Sequence, residues 1–358
     1  MRHRATEILD RIGLKHPIFQ APMAGVSTPA MAGAVSQAGG LGSLGLGAST
    51  VDQARQMIRD ARAAGATPLN VNFFCHRPAE PRPDAEADWL RRMGPLFDQF
   101  EGSAPERLTE IYLSFLHNAA MQQMVLEEKP EVVTFHFGLP GAGLISDLRE
   151  AGCFLAASAT SLEEAHAIQA AGLDAIIAQG IEAGGHRGIF DPDGPDAGLS
   201  SLTLTQLIVR ECHLPVIAAG GIMTGQGIAA ALNVGAVAAQ LGTAFIATDE
   251  SAADADYRQA LVGSPGLRTH LSPAISGRPA RCLGNALIDW TRDQMGAELP
   301  DYPVLYDATK ALMAAAKQAG VAGYAAQWAG QGAPLARAMK TAELVQVLAS
   351  ELEQARSA

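Results

Sequence analysis

Charge is scarce in this sequence, and aromatic residues and cysteine are scarcer. Only 18% of the 358 residues are charged and 5% aromatic, and the four cysteines are Cys75, Cys153, Cys212 and Cys282. The cysteines lie far apart without CxxC spacing, so neither a zinc site nor a disulfide framework is expected, and four free thiols in a reducing compartment are. Residues 16–51 and 212–248 contain no Asp, Glu, Lys or Arg. Gly, Pro, Ser, Gln and Asn interrupt both runs before about 20 continuous apolar residues accumulate, which speaks against a membrane span. The opening MRHRATEILDRIGLKHP has no apolar h-region. A secretory signal is therefore not expected, and the chain reads as soluble and cytoplasmic. A formal net charge of -11 argues against wrapping nucleic acid or sitting on anionic lipid.

What is present is apolar and glycine-rich: 48% hydrophobic residues and 37 glycines, enough to bury one large core. Short β-type runs recur at 17–23, 40–46, 69–74, 132–138, 154–159, 175–180, 216–221 and 236–247. Most are apolar on both faces, as parallel strands covered by helices must be. Between them lie Ala-rich amphipathic stretches such as TVDQARQMIRDARAAG and SLEEAHAIQAAG, several closing with Gly. Eight strand–helix alternations in this length predict an α/β fold, a (β/α)8 TIM barrel with inserted cap segments. An open doubly wound sheet is the alternative, but no G-x-G-x-x-G follows the first strand. Residues 1–74 and 107–250 are expected to form the barrel and 75–106 and 251–320 the cap, with 321–358 a helical segment packing on the barrel.

In such a barrel the loops after the strands carry chemistry. The seventh run ends at Gly220-Gly221 before a helix, and the eighth carries Gln240, Gly242 and Thr243. Together they make a backbone-donor grip for an anion. The first run ends Ala21-Pro22-Met23, flat enough for a ring to lie on, and the third holds the amides Asn70 and Asn72. Gln179 ends the sixth run, and Gly180, Gly184, Gly185 and Gly188 then frame His186, letting backbone pass close to a ligand. Arg187 and Glu182 read as residues that hold this loop by pairing. Further along, DYPVLYDATKALMAAAKQAG spaces Tyr302, Tyr306 and Lys310 four residues apart, one face of a helix. Phenols and an ammonium on one face make an anion-binding lid. Tyr112, Tyr257 and His136 are further pocket candidates.

APMAG, LNVNFF, QGIEAGGHRG, AAGGI and QLGTAF, taken in order, resemble the FMN-dependent nitronate monooxygenases over most of the chain. The resemblance implies FMN at the strands' C-terminal ends. Ala21, Pro22, Met23, Asn70, Gln179, Gly184 and Gly185 would border its ring or ribityl chain. Gly220, Gly221, Gln240, Gly242 and Thr243 would hold its ribityl and phosphate end. His186 matches the family's active-site histidine, as base toward a nitroalkane or as a positioning group toward a nitronate. The tyrosine–lysine cluster is similar to that of the bacterial class I enzymes acting on propionate 3-nitronate, and the run SGRPARCLGN resembles that class too, without an evident chemical role. The implied reaction is oxidation of an anionic alkyl nitronate by O2, through an anionic flavin semiquinone, to a carbonyl product and nitrite or nitrate. The glycine–histidine loop and phosphate grip also occur in FMN-dependent enoyl-acyl-carrier-protein and quinone reductases. An NAD(P)H-dependent reductase of quinones or enoyl thioesters is therefore the alternative, and a non-catalytic flavin-binding protein a third. Ala-rich helices suit a monomer or a homodimer alike.

Overall fold

The computed structural model describes residues 2–294 and 296–357. Eight strands form one parallel sheet: β1 (Ile18–Gln20), β2 (Gly42–Gly45), β3 (Leu69–Phe74), β4 (Val132–His136), β5 (Phe154–Ala159), β6 (Ala175–Gln179), β8 (Val216–Ala219) and β9 (Ala238–Leu241). The numbering leaves β7 for a two-residue strand, Gly185–His186, outside that sheet. Neighbours run β1-β9-β8-β6-β5-β4-β3-β2. The two edges meet where Gln20 N–H donates to the Leu41 carbonyl at 3.0 Å and Leu41 N–H to that of Ile18 at 2.9 Å. The sheet is thus a closed TIM barrel, with helices between successive strands.

All eight expected strands are found, β3 and β5 with the expected bounds and the other six shorter. The eighth differs most, because Gly242 leaves extended backbone at φ -105°, ψ -69° and TAFI becomes a helical turn, Thr243–Ile246. Local chemistry sets the helices as anticipated. Thr50 caps Val51–Ala63 with a capping box completed by Gln53, and Ser161 and Thr224 cap Leu162–Ala170 and Gly225–Asn233.

A second core sits beside the barrel. Trp89, Met93 and Phe97 of the helix Pro83–Gln99 pack with Leu287 of Ala286–Asp293 and with Leu305 and Leu312 of Val304–Gln318. Burying each such side chain contributes roughly 1.5–3 kcal/mol, so the segments after β3 and after β9 hold one another in place. The same region contributes β10 (Thr269–Ser272) and β11 (Ala280–Leu283), which pair antiparallel. Strand β11 also pairs antiparallel with β7, Ala280 opposite His186 and Arg281 opposite Gly185. A three-stranded sheet therefore ties cap to barrel at the histidine itself. The last helix, Thr341–Ser357, lays Leu344, Leu348 and Leu352 against Ile228 and Ala231 of Gly225–Asn233. Among the described residues no helix is long and apolar enough to cross a membrane.

Candidate active site

A cavity of about 980 Å³ opens at the C-terminal ends of the barrel strands, under the cap. Its wall takes Ala21, Pro22 and Met23 from β1, Gln179 from β6, and Gly220, Gly221, Gln240, Gly242 and Thr243 from β8 and β9 with their loops. Gly184, Gly185 and His186 line the same wall, as do His136, Tyr112, Tyr257, Tyr302, Tyr306 and Lys310. Asn70 is the exception and does not line the cavity. Asn70 and Asn72 lie two apart on β3 and so face the same way, but only Asn72, nearer the strand's C-terminal end, reaches the cavity. Asn70 lies below, donating to Ser43 Oγ at 3.0 Å and accepting from Thr134 Oγ1 at 3.1 Å.

The loop that carries His186 is clamped from several sides. The Gln179 amide accepts from Gly188 N–H at 2.7 Å and donates to the His186 carbonyl at 3.0 Å. His136 Nε2 approaches the same carbonyl at 3.2 Å while its Nδ1 meets Ser158 Oγ at 3.0 Å. Both ring nitrogens of His136 are thereby spent inside the protein. Arg187, almost wholly buried, grips Asp196 with two bonds of 2.9 and 3.0 Å and donates to the carbonyls of Gln179 and Gly180. Glu182 does not pair with it; its carboxylate accepts Ser201 N–H at the start of the helix Ser201–Glu211. The glycines make room for protein rather than only for a ligand. A Cβ on Gly184 would sit 2.5 Å from Gly330 N, and one on Gly188 2.9 Å from the His136 ring.

The run SGRPARCLGN acquires a structural role. Besides forming β11, it places Ser276 Oγ 2.8 Å from His186 Nε2. Arg278 is buried, stacks over Phe137 at 4.4 Å and donates to the Ile189 carbonyl at 2.7 Å. No carboxylate pairs with it among the described residues. Sequence reasoning missed Ser276, Arg278, Phe137 and Trp328. The Trp328 ring lies 5.1 Å from His186, and its carbonyl accepts the Tyr257 hydroxyl. A bulky tryptophan inside the glycine-flanked AAQWAGQG was the one signal for it.

The tyrosine cluster assembles, though not by the expected route. The helix begins at Val304, so Tyr302 precedes it and reaches the site from the loop, while Tyr306 and Lys310 lie on the helix. Pro303 is the cap residue, and its missing N–H suits a helix start better than Tyr302 does a further turn. Tyr302 lies 5.4 Å from the His186 ring and 6.5 Å from Tyr112. The Lys310 ammonium stands 4.8 Å from the Tyr112 ring and 5.4 Å from that of Tyr306, with no carboxylate bridged to it among the described residues. Among the described residues, two polar atoms of this cavity wall are buried without partners: the Tyr302 hydroxyl and Gln240 Oε1.

Burial dominates the electrostatics. It pushes the pKa of His186 down to about 3, helped by His136 and the Arg278 charge, and that of His136 to about 4. His76, packed edge-on against Tyr302 at 5.0 Å, is lowered to about 4, again chiefly by burial and then by Arg278. Burial raises Tyr306 to about 12 and Tyr302 well above the usual phenol value. Near pH 7 the site therefore holds neutral imidazoles and neutral phenols. Lys310 is exposed by area, and partial desolvation lowers its pKa, opposed by the nearby Asp307 charge.

A stability prediction follows from the three histidines. Their folded-state pKa values lie below the unfolded value near 6.5, so between roughly pH 6.5 and 4 only the unfolded chain takes up their protons. Stability should be intact above pH 7 and fall by up to about 1.4 kcal/mol per histidine for each unit of acidification in that window. Thermal midpoints measured from pH 7.5 to 5.0 should drop steadily, and a flat profile would contradict neutral burial of these rings.

The comparisons agree with this geometry. The sequence model of a family described as nitronate monooxygenase matches residues 5–351. A nitronate monooxygenase of Paraburkholderia phytofirmans is 55% identical over 97% of this chain and 95% of its own length. One from Pseudomonas aeruginosa is 49% identical over 98% and 99%. Among solved structures, the nitroalkane oxidase of Streptomyces ansochromogenes superposes with a TM-score of 0.89 at 40% identity, covering 99% of each chain.

Proposed function

The chain belongs to the nitronate monooxygenase family of oxidoreductases, and from that premise we propose that it uses FMN and O2 to oxidise alkyl nitronates, with propionate 3-nitronate, the substrate of the bacterial class I enzymes, as the favoured one. The products are a carbonyl compound and nitrite or nitrate. One observation carries the substrate side: the Tyr302 hydroxyl is buried, partnerless, and shares a wall with His186, Tyr306 and the unpaired Lys310. Such a hydroxyl is costly to leave unmet and is a donor waiting for an acceptor.

The residues fit FMN. Gln240 Oε1 is a buried acceptor without a protein donor in the same cavity, as a ligand N–H or hydroxyl would require. Gly220 and Gly221 turn at φ 113° and 71°, conformations that leave backbone exposed to a bound anion. In this reading Ala21, Pro22, Met23, Gly184 and Gly185 border the ring, while Gly220, Gly221, Gln240, Gly242 and Thr243 hold the ribityl phosphate. Residues 1–74 and 107–250 carry the cofactor, and 75–106 with 251–320 close over the substrate. When bound, FMN supplies an electron acceptor that O2 re-oxidises.

This chain's own residues bind and orient. Lys310 takes the carboxylate of a carboxylated nitronate, and the protonated phenols of Tyr302 and Tyr306 donate to its oxygens. His186, neutral when the cavity holds no anion, has one lone pair with which to accept a proton from a nitroalkane. Toward a nitronate, which has already lost that proton, the ring positions the anion by a hydrogen bond from a ring N–H or by the charge it gains if it takes up a proton as the anion binds. Gln179 and His136 keep the ring in place through its carbonyl.

The test is oxygen uptake by purified protein with propionate 3-nitronate, beside anaerobic mixing with NADH and NADPH. Rapid uptake with no flavin bleaching by either nicotinamide is expected. Rapid bleaching with negligible nitronate turnover would replace the proposal with an NAD(P)H-dependent reductase of quinones or enoyl thioesters.

A further inference from the structure

We propose that Ser276 is a positioning residue that fixes His186 as its Nε2–H tautomer and leaves Nδ1 as the ring's only acceptor. Ser276 is fully buried, so its hydroxyl has no solvent to turn to. Three groups surround Ser276 Oγ: His186 Nε2 at 2.8 Å, the Arg278 carbonyl at 3.2 Å and Arg278 N–H at 3.4 Å. The N–H can only donate to the hydroxyl, which has a single proton to give in return.

If that proton went to His186, the Arg278 carbonyl would be left unmet, since it accepts no other bond among the described residues. Arg278 is buried too, and an unpaired buried carbonyl is the costlier arrangement. The proton therefore goes to the carbonyl, and Nε2 must donate to Ser276. A neutral imidazole carries one proton, so Nδ1 keeps its lone pair, and no protein group among the described residues bonds it. The frame around this contact is rigid. Arg187 N–H donates to the Pro279 carbonyl at 2.8 Å, and β7 pairs with β11 immediately beside it. What the free Nδ1 does, accepting a nitroalkane proton or the proton that accompanies an anion, rests on the nitronate-oxidation reading. The tautomer does not.

The experiment is nitrogen-15 NMR of histidine-labelled protein, with His186 identified among the nine histidines by its absence in His186→Asn. Wild type should show amine-type Nε2 and imine-type Nδ1 shifts for His186; protonated Nδ1 would overturn the proposal outright. In Ser276→Ala the signals should move to a mixture of tautomers and kcat for a nitroalkane should fall about tenfold, while Ser276→Thr keeps the wild-type pattern. An unchanged tautomer in Ser276→Ala would also overturn it. The wild-type spectrum decides even if the alanine variant fails to fold. Wild type with the stated tautomer but no nitronate turnover would sink the functional reading alone.

Discussion

His186→Asn should retain fold and flavin while losing nitroalkane oxidation by about 10²–10⁴-fold in kcat, the usual worth of a positioned proton-transfer group, and nitronate oxidation by the smaller worth of a lost hydrogen bond to the anion. Asparagine suits the site sterically, and the loop's clamps act on the backbone: Gln179 and His136 hold the residue-186 carbonyl, and β11 pairs with that strand. What asparagine lacks is a nitrogen that can exchange one proton between acceptor and donor states. The measurement is initial oxygen uptake against bound flavin quantified from released absorbance. Turnover within about twofold of wild type at full flavin content would remove His186 from the chemistry and shift attention to the phenols.

Lys310→Ala should separate substrates by charge. Apart from the histidines and tyrosines, Lys310 and Asp254 are the two acidic or basic residues lining the cavity among the described residues, and the Asp254 carboxylate is already engaged by Tyr257 N–H. A carboxylated nitronate entering a protein of net charge -11 has Lys310 as its only cationic contact there among the described residues. A charge-assisted hydrogen bond contributes roughly 1.5–3 kcal/mol when buried. Because Lys310 is exposed, up to about fivefold in kcat/KM is the fitting expectation for propionate 3-nitronate. Nitronates without a carboxylate should change by less than about twofold, with Lys310→Met as the control for lost stem packing. Equal losses for both substrate types would mean that the ammonium shapes the pocket through its stacking on Tyr112 and Tyr306 rather than by reading charge.

The barrel was legible because its signals are local. Double-sided apolar runs, amphipathic Ala-rich stretches and closing glycines each fit within a dozen or so residues, and all eight strands followed from them. The strand-end part of the cavity wall was legible for the same reason, since strand-end residues inherit their position from the strand. Asn70 shows the limit of that logic: alternation assigns a face but not a depth along the barrel axis. Tyr302 shows another, because spacing of four places residues together only if the helix extends over all of them, and Pro303 begins it later. Ser276, Arg278 and Trp328 were out of reach for a different reason. They meet His186 across separations of about 90 to 140 residues, through pairing of β7 with β11 and the C-terminal segment's return, and no nearest-neighbour pattern encodes that.

The pairing of β7 with β11 bears on how such enzymes diversify. A lid attached only by hinges could be exchanged freely, new specificity arriving without disturbing the reactive centre. Here the histidine's own strand is a rung of the cap's sheet, so recognition and reactivity share one inheritance. A graft that brought in a foreign 251–320 segment would have to supply a strand of matching register and a hydroxyl at position 276, or it would disturb His186 along with the pocket.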